Sequence, residues 1–206
     1  MAKSASSRQW LDRQQKDPYV KRAQREGYRS RAAYKLLELQ EKDHILRPGL
    51  HVLDLGAAPG SWSQVAARLV GPSGRVVALD ILPMDPLSGV EVLQGDFREA
   101  EVLACIEAAC AGRPLDLVLS DMAPNISGMT AVDQPRAIYL CELALDLARA
   151  RLQPGGTLVV KVFQGTGTDA LLAETRRSFA RVSSRKPKSS RAQSRELYLV
   201  AKGFHP

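Results

Sequence analysis

The chain has 206 residues, 45% of them hydrophobic and 25% charged, which suits one globular domain. A domain of this size buries roughly 70% of the surface that its unfolded form exposes. No apolar run approaches the ~20 residues of a membrane span, and MAKSASSRQWLDRQQK lacks the apolar centre of a secretory signal. A cytoplasmic monomer without a membrane partner is therefore expected. Cys105, Cys110 and Cys141 are odd in number, no C-x-x-C occurs, and the three histidines stand apart. That pattern excludes a disulfide framework and a zinc site, so no metal is expected.

Charge is segregated along the chain. Residues 1–35 carry ten Lys/Arg and three acids, residues 176–206 carry nine and one, and the remainder carries ten and eighteen. A net-acidic middle between two basic ends favours a polyanionic partner, because each phosphate neutralised releases counterions. Tyr19, Tyr28 and Tyr34, interleaved with the first basic stretch, point to nucleic acid rather than to solubility alone.

In chain order, residues 1–28 are polar, basic and aperiodic, and are expected to form a loosely ordered arm before a folded domain spanning 29–206. SRAAYKLLELQEKDHI has apolar spacing for an amphipathic helix, with Ser30 as its N-cap. RPGLHVLDLGAAPGSW then reads as a turn, a strand and a loop of small residues. WSQVAARLV reads as helix, RVVALD and VEVLQGD as strands, and AEVLACIEAAC as helix. LDLVLSD is a strand, followed by the loop MAPNISGMTAVDQ and a long helix from Pro135. GGTLVVKVF is a strand, DALLAETRRSF a helix, and ARVSSRKP and ELYLVAKGF a closing pair of strands.

Alternating strands and helices with continuous apolar strands imply a parallel sheet covered on both faces. The closing hairpin, with no helix between its strands, adds one antiparallel strand. Lys161 is the oddity, standing in a buried strand among Leu158, Val159, Val160 and Val162. Burying an ammonium without a partner costs several kcal/mol. Either its head snorkels to water near the end of the strand, or it has company.

Sheets of this type bind ligands at the carboxyl ends of their strands. The first strand ends in DLGAAPGSW, where Gly56 and Gly60 let the backbone turn without a Cβ. The spacing is not G-x-G-x-x-G, and Pro59 removes an N–H that a pyrophosphate cradle could use, which disfavours a nicotinamide oxidoreductase. Acids recur at the strand ends: Asp54, Asp80, Asp96 and Asp121. Asp80 follows Gly60 at the distance where an acid meets ribose hydroxyls. A cofactor with a ribose, an amino group and an ammonium suits these carboxylates, and S-adenosyl-L-methionine fits that description.

The stretches RSRAAYKLLE, VLDLGAAPGSWSQ, LQGDF, DLVLSDMAPNISG, GGTLVVKVFQG and SRKPKSSRAQSRELYLVAKGF run from Arg29 to Phe204. Through them the chain resembles the FtsJ family of ribosomal RNA ribose 2′-O-methyltransferases. That resemblance implies an α/β fold of the Rossmann-like S-adenosylmethionine-dependent methyltransferase type: a seven-stranded, mostly parallel sheet with an antiparallel last strand. By motif it also implies Lys35, Asp121, Lys161 and Glu196 as catalytic residues, and Gly60, Trp62, Asp80, Asp96 and Asp121 as cofactor contacts. The implied substrate is a uridine of 23S rRNA, met in an assembled large ribosomal subunit. Three positions depart from the family pattern: Ser61 replaces a glycine, Thr166 a glutamate and Ser189 an alanine. Ser61 could cap the following helix if its φ is negative.

In the chemistry that the resemblance implies, in-line methyl transfer to a ribose hydroxyl needs alignment, which can lower a barrier by ~7–11 kcal/mol, and a destination for the hydroxyl proton. The apolar strand and Lys35 would favour a neutral Lys161 that acts as base, whereas Asp121 and Glu196 would favour the ammonium. Lys161 thus either takes the proton or, charged, steers the oxygen lone pair; Lys35 would position the ribose or its phosphate. The basic N-terminal arm and the segment Arg176–Arg195 would hold backbone phosphates. RNA is preferred over DNA because only RNA carries the acceptor hydroxyl. The sequence D-M-A-P-N lacks the aromatic that a base-amino methyltransferase uses to stack its target. Rival readings are a small-molecule methyltransferase and an RNA-binding protein without catalysis.

Overall fold

The apolar runs become strands and the amphipathic stretches become helices that cover them. The computed structural model describes residues 17–206. In order these form α1 (Pro18–Glu26), α2 (Ala33–Asp43), β1 (His51–Leu55), α3 (Ser61–Val70), β2 (Arg75–Asp80), β3 (Val90–Gln94), α4 (Ala100–Ala109), β4 (Leu115–Ser120), α5 (Thr130–Arg151), β5 (Leu152–Phe163), α6 (Thr168–Arg176), β6 (Phe179–Arg185) and β7 (Glu196–Phe204). The seven strands make one sheet in the order β3-β2-β1-β4-β5-β7-β6. From β3 to β5 every pairing is parallel, and β7 runs antiparallel to β5 and β6. This is the expected sheet with its antiparallel last strand.

Strand alternation divides the core between two faces. Leu53, Leu55, Val118, Leu158 and Val160 pack beneath α4, α5 and α6 with Ile106, Leu145 and Leu171. Val52, Leu117, Leu119, Val159, Tyr198 and Val200 pack beneath α2 and α3 with Leu36, Leu39, Trp62 and Val65. Each fully buried aliphatic side chain contributes about 1.5–3 kcal/mol of transfer free energy, which explains why β1, β4 and β5 occupy the centre. Among the described residues no helix is long and apolar enough to cross a membrane. No cluster of three or more His, Cys, Asp or Glu side chains there could hold a metal ion.

Three boundaries differ from the sequence reading. The stretch expected to be a loose arm to residue 28 contains α1, and its residues 1–16 lie outside the described residues. Asp17 caps α1 by accepting from the Tyr19 N–H, Pro18 fits the first helical position, and Gly27 closes the helix at φ 74°. Charge hid this helix, because only Ala23 in it is buried. α2 begins at Ala33 rather than being capped by Ser30. Residues 30–33 instead make a tight turn in which the Ala33 N–H donates to the Ser30 carbonyl, and Ser30 Oγ accepts from the Ala32 N–H. α5 begins at Thr130, before Pro135. There the Asp133 carboxylate accepts from Ser127 N–H at 3.0 Å, Ser127 Oγ at 2.8 Å and Gly128 N–H at 3.0 Å, which anchors the preceding loop to the helix.

The loop after β1 decides how closely β1 and β4 approach at their carboxyl ends. Gly56 has φ 71°, and a Cβ there would stand 2.6 Å from Met122 Cγ and 3.1 Å from Met122 Cα. Gly56→Ala must therefore push the β4 exit away as well as strain the backbone. We expect a loss of about 1–3 kcal/mol in urea unfolding.

Candidate active site

The carboxyl ends of β1, β2 and β4 and the beginning of β7 meet at one end of the sheet, because β7 runs against its neighbours. Lys161, near the end of β5, faces Tyr198 of β7 across the antiparallel ladder. Its Nζ lies 3.0 Å from Asp121 Oδ1 and also donates to the Asp121 carbonyl oxygen. Lys161 is only 8% exposed, so the lysine does not snorkel. Its partner is the acid that ends β4.

Lys35, in the first turn of α2, pairs with Glu196, the first residue of β7, at 2.8 Å. Burial pushes the Glu196 carboxyl up, but the Lys35 charge and hydrogen bond outweigh it and hold the carboxyl below its ordinary value. The structure thus brings all four expected catalytic residues into two ion pairs. Tyr198 joins them. Its hydroxyl donates to Asp121 Oδ1 at 2.7 Å, and Lys35 Nζ stands 5.7 Å from its ring centre. Burial, with Asp121 and Glu196 nearby, raises the phenol well above its usual value, so it remains a neutral donor. Tyr198 was not singled out in the sequence. The available signal was its spacing, two residues after Glu196 and hence on the same face of β7.

The expected cofactor residues fall into two groups. Asp80 and Asp96 stand at the rim. The Asp80 carboxylate accepts from Ala58 N–H at 2.9 Å and Leu82 N–H at 2.8 Å, tying together the loops after β1 and β2. Asp96 is clasped by Arg98, whose Nε lies 2.9 Å from both carboxylate oxygens, and this pairing holds the Asp96 carboxyl below its ordinary range. Asp54 and Trp62 lie beneath the loop. Trp62 is 3% exposed, stacks 5.5 Å from Tyr198 and donates from Nε1 to the Ala32 carbonyl. Gly60, at φ 104°, is itself the N-cap of α3, and Ser61 is the first helical residue rather than the cap. Ser61 has negative φ and shares a 2.7 Å hydrogen bond with Ser30, so the departure from glycine is accommodated. Thr166 is exposed, whereas Ser189 is fully buried with no hydrogen-bond partner for its hydroxyl.

The segment 29–32 links the two sides of this cleft. The Arg29 guanidinium donates to the Pro59, Asp85 and Pro86 carbonyls at 2.9, 2.9 and 2.7 Å, bracing the loops after β1 and β2. Arg31 pairs with Asp17 and donates to the Ser189 carbonyl in the basic loop between β6 and β7. That loop is further pinned by Glu38, which accepts from the Lys188 and Ser189 N–H groups. The segment Arg176–Arg195 is therefore not one surface: residues 179–185 form the edge strand, and residues 186–195 border the cleft.

The FtsJ-like methyltransferase family matches residues 28–204. The chain belongs to that family. It is 59% identical over 204 residues to the ribosomal RNA large subunit methyltransferase E of Pseudomonas aeruginosa, covering 99% of both chains. To the protein of that name from Chromohalobacter salexigens it is 61% identical over 202 residues, covering 98% of this chain and 96% of the other. Among solved structures, it matches a Plasmodium falciparum chain described as a ribosomal RNA methyltransferase. The TM-score is 0.77 at 33% identity, covering 86% of this chain and 98% of that one. This FtsJ-family member is thus a methyltransferase, with the family's sheet.

Beneath the cleft, Asp54 is wholly buried. Ser63 Oγ donates to its Oδ2 at 2.6 Å, while Oδ1 has no hydrogen-bond partner. Burial pushes this carboxyl up to about 7; the Ser63 hydrogen bond opposes the rise, and the charges of Asp121 and Asp80 reinforce it. In the unfolded chain Asp54 ionises near its ordinary value, whereas the folded chain holds the proton until about 7. Its contribution to stability is therefore full in acid and falls as pH rises through that window. The difference in Tm between Asp54→Asn and the parent chain should shift in favour of the variant as pH rises from about 5 to 8 in thermal melts.

Proposed function

We propose that this protein methylates the ribose 2′-hydroxyl of a uridine in 23S rRNA, on the assembled large ribosomal subunit in the cytoplasm, using S-adenosyl-L-methionine. The observation that carries this reading is the convergence of Lys35, Asp121, Lys161 and Glu196 on Tyr198. The large-subunit rRNA methyltransferase names of the full-length relatives support the substrate class.

The cleft suits the cofactor by its chemistry. Asp80, Asp96 and Asp121 offer acceptors for ribose hydroxyls, an amino group and an ammonium, while Pro59 and the departure from G-x-G-x-x-G spacing disfavour a pyrophosphate cradle. On either side of the glycine loop, Asp54 accepts from Ser63 and the Trp62 indole donates to the Ala32 carbonyl. When bound, S-adenosylmethionine supplies a methyl group on a good sulfonium leaving group.

The protein's task is to align the attacking oxygen and receive its proton. Lys161, held by Asp121 and entering the step as the free amine, takes that proton to become the ammonium as the 2′-oxygen attacks. Tyr198 keeps the Asp121 carboxylate oriented by donating to it. Lys35, ion-paired and stacked on Tyr198, positions the ribose or its phosphate, and the basic residues 186–195 hold the backbone beside it. A second reading is favoured by the two oxygen acceptors on Lys161 Nζ. In it Lys161 stays charged and steers the oxygen lone pair while the proton leaves to water.

Labelled S-adenosylmethionine with large ribosomal subunits, naked rRNA and small phenols tests the reading. Label should appear in a single ribose of the rRNA, and labelling of the small acceptors instead would sink it. Lys161→Ala should abolish turnover with cofactor affinity changed only a few-fold in equilibrium binding. Below the rate plateau, kcat should rise about tenfold per pH unit if Lys161 is the base, and stay flat if it only steers. Tyr198→Phe, which frees Asp121 from one donor, should lower kcat by about 10–100-fold; unchanged turnover would remove Tyr198 from the site.

A further inference from the structure

The basic residues of the C-terminal strands do not all face the reaction centre. Arg181, Arg185 and Lys202 lie on one face of the β6–β7 ladder, where Arg181 pairs with Lys202 and Arg185 with Tyr198. The end of α2 and the segment after it bring Lys42, His44 and Arg47 beside them. Two cavities of about 400 and 220 Å³ are built from these residues and adjoin at His44 and Lys202, which line both. The larger also borders Gln153–Thr157 at the start of β5. The larger cavity therefore opens at the end of the sheet opposite the Lys161 cleft, and the smaller one runs along the β6–β7 ladder as far as Arg185.

The charge balance of the groove they form is distinctive. Five of its side chains are cationic (Lys42, Arg47, Arg181, Arg185 and Lys202) against two acids, Asp43 and Asp116. Both acids are already engaged. Asp43 takes Arg185 at 2.7 and 2.8 Å, and Asp116 accepts from the His51 N–H at 2.8 Å and from Gln153. Lys42, Arg47 and Arg181 pair with no acid among the described residues, and all three are exposed. Apart from the His44 imidazole the walls carry no aromatic ring, and Gly155 and Gly156 leave part of the larger cavity without side chains. Such a surface suits phosphates and sugars and reads no sequence.

We propose that this groove is a second, remote contact for the phosphate backbone of the substrate RNA; it rests on the ribosomal RNA reading above. Six steps along β7 lead from Glu196 to Lys202, which is about 20 Å at the rise of a strand. A stacked strand advancing about 3.4 Å per nucleotide reaches the groove roughly six nucleotides from the target ribose. RNA shorter than that occupies the catalytic cleft alone, and longer RNA gains the groove.

The test is the full-length double variant Lys42→Ala/Arg47→Ala, which removes two exposed charges and leaves both ion pairs of the cleft intact; an unchanged Tm certifies its fold. Affinity for an rRNA fragment spanning the target is measured against salt concentration. kcat/KM is measured on that fragment and on an oligonucleotide reaching about four nucleotides to either side of the target. The slope of log affinity against log salt should fall by about 1.5, with binding of the long fragment weakened about tenfold or more at ~0.1 M salt. kcat/KM should fall on the long fragment and stay unchanged on the oligonucleotide. An unchanged slope, or equal losses on both RNAs, overturns the groove while leaving the proposed reaction standing. A reduced slope with a wild-type enzyme that methylates no rRNA upholds an RNA contact and instead overturns the reaction.

Discussion

The Lys161 end of this molecule depends on holding two lysines beside counter-charges in a place largely closed to solvent. A buried ammonium is tolerated only with a close counter-charge and further acceptors. Lys161 has both in Asp121, through the carboxylate and the carbonyl of one residue. Lys35 has Glu196 and the face of Tyr198. The two pairs are not independent, because Tyr198 touches members of both. A change at any of the five residues alters the environment of the other four, and additive effects of substitution are not expected among them.

That constraint explains the form of the sheet around it. A wholly parallel sheet would bring only strand ends to this edge, each followed by its own loop. Running β7 against β5 puts the beginning of a strand there instead, so Glu196 and Tyr198 arrive on rigid backbone beside Lys161. β7 also continues to the opposite end of the sheet, carrying Lys202 into the basic groove. The segment 29–32 braces the other wall. Arg29 grips the loops after β1 and β2, Ser30 meets Ser61, Arg31 holds the Ser189 carbonyl, and Ala32 receives the Trp62 indole. The loops on both sides of the cleft are thus held by four consecutive residues, and α2 leads from them directly to Lys35.

Much of this architecture was legible in the chain. The apolar runs of β1, β2, β4 and β5 are nearly continuous because both faces are covered, and the acids at the ends of β1, β2 and β4 gather at one end of the sheet. The boundaries at which the structure departs from the sequence reading have separate causes. α1 is nine residues long and dominated by charge, so its short apolar side of Tyr19, Val20 and Ala23 is easily passed over. Ser30 serves a turn and a contact with Ser61 that is distant in sequence. The start of α5 depends on Asp133 reaching back to Ser127 and Gly128, which outweighs the helix-breaking signal of Pro135.

By itself the sequence determined the sheet, the strand-end carboxylates, the glycine loop and the anomaly of a lysine in an apolar strand. These are consequences of local spacing, and local spacing is what a sequence records. Only the tertiary structure decided which acid meets which lysine, that Tyr198 joins the two pairs, that Asp54 lies sealed beneath the loop, and that the basic C-terminal stretch divides between two ends of the sheet. Those contacts join residues as far apart as Lys35 and Glu196. They exist because strand order and direction carry distant segments to one place, and no periodicity along the chain encodes that meeting.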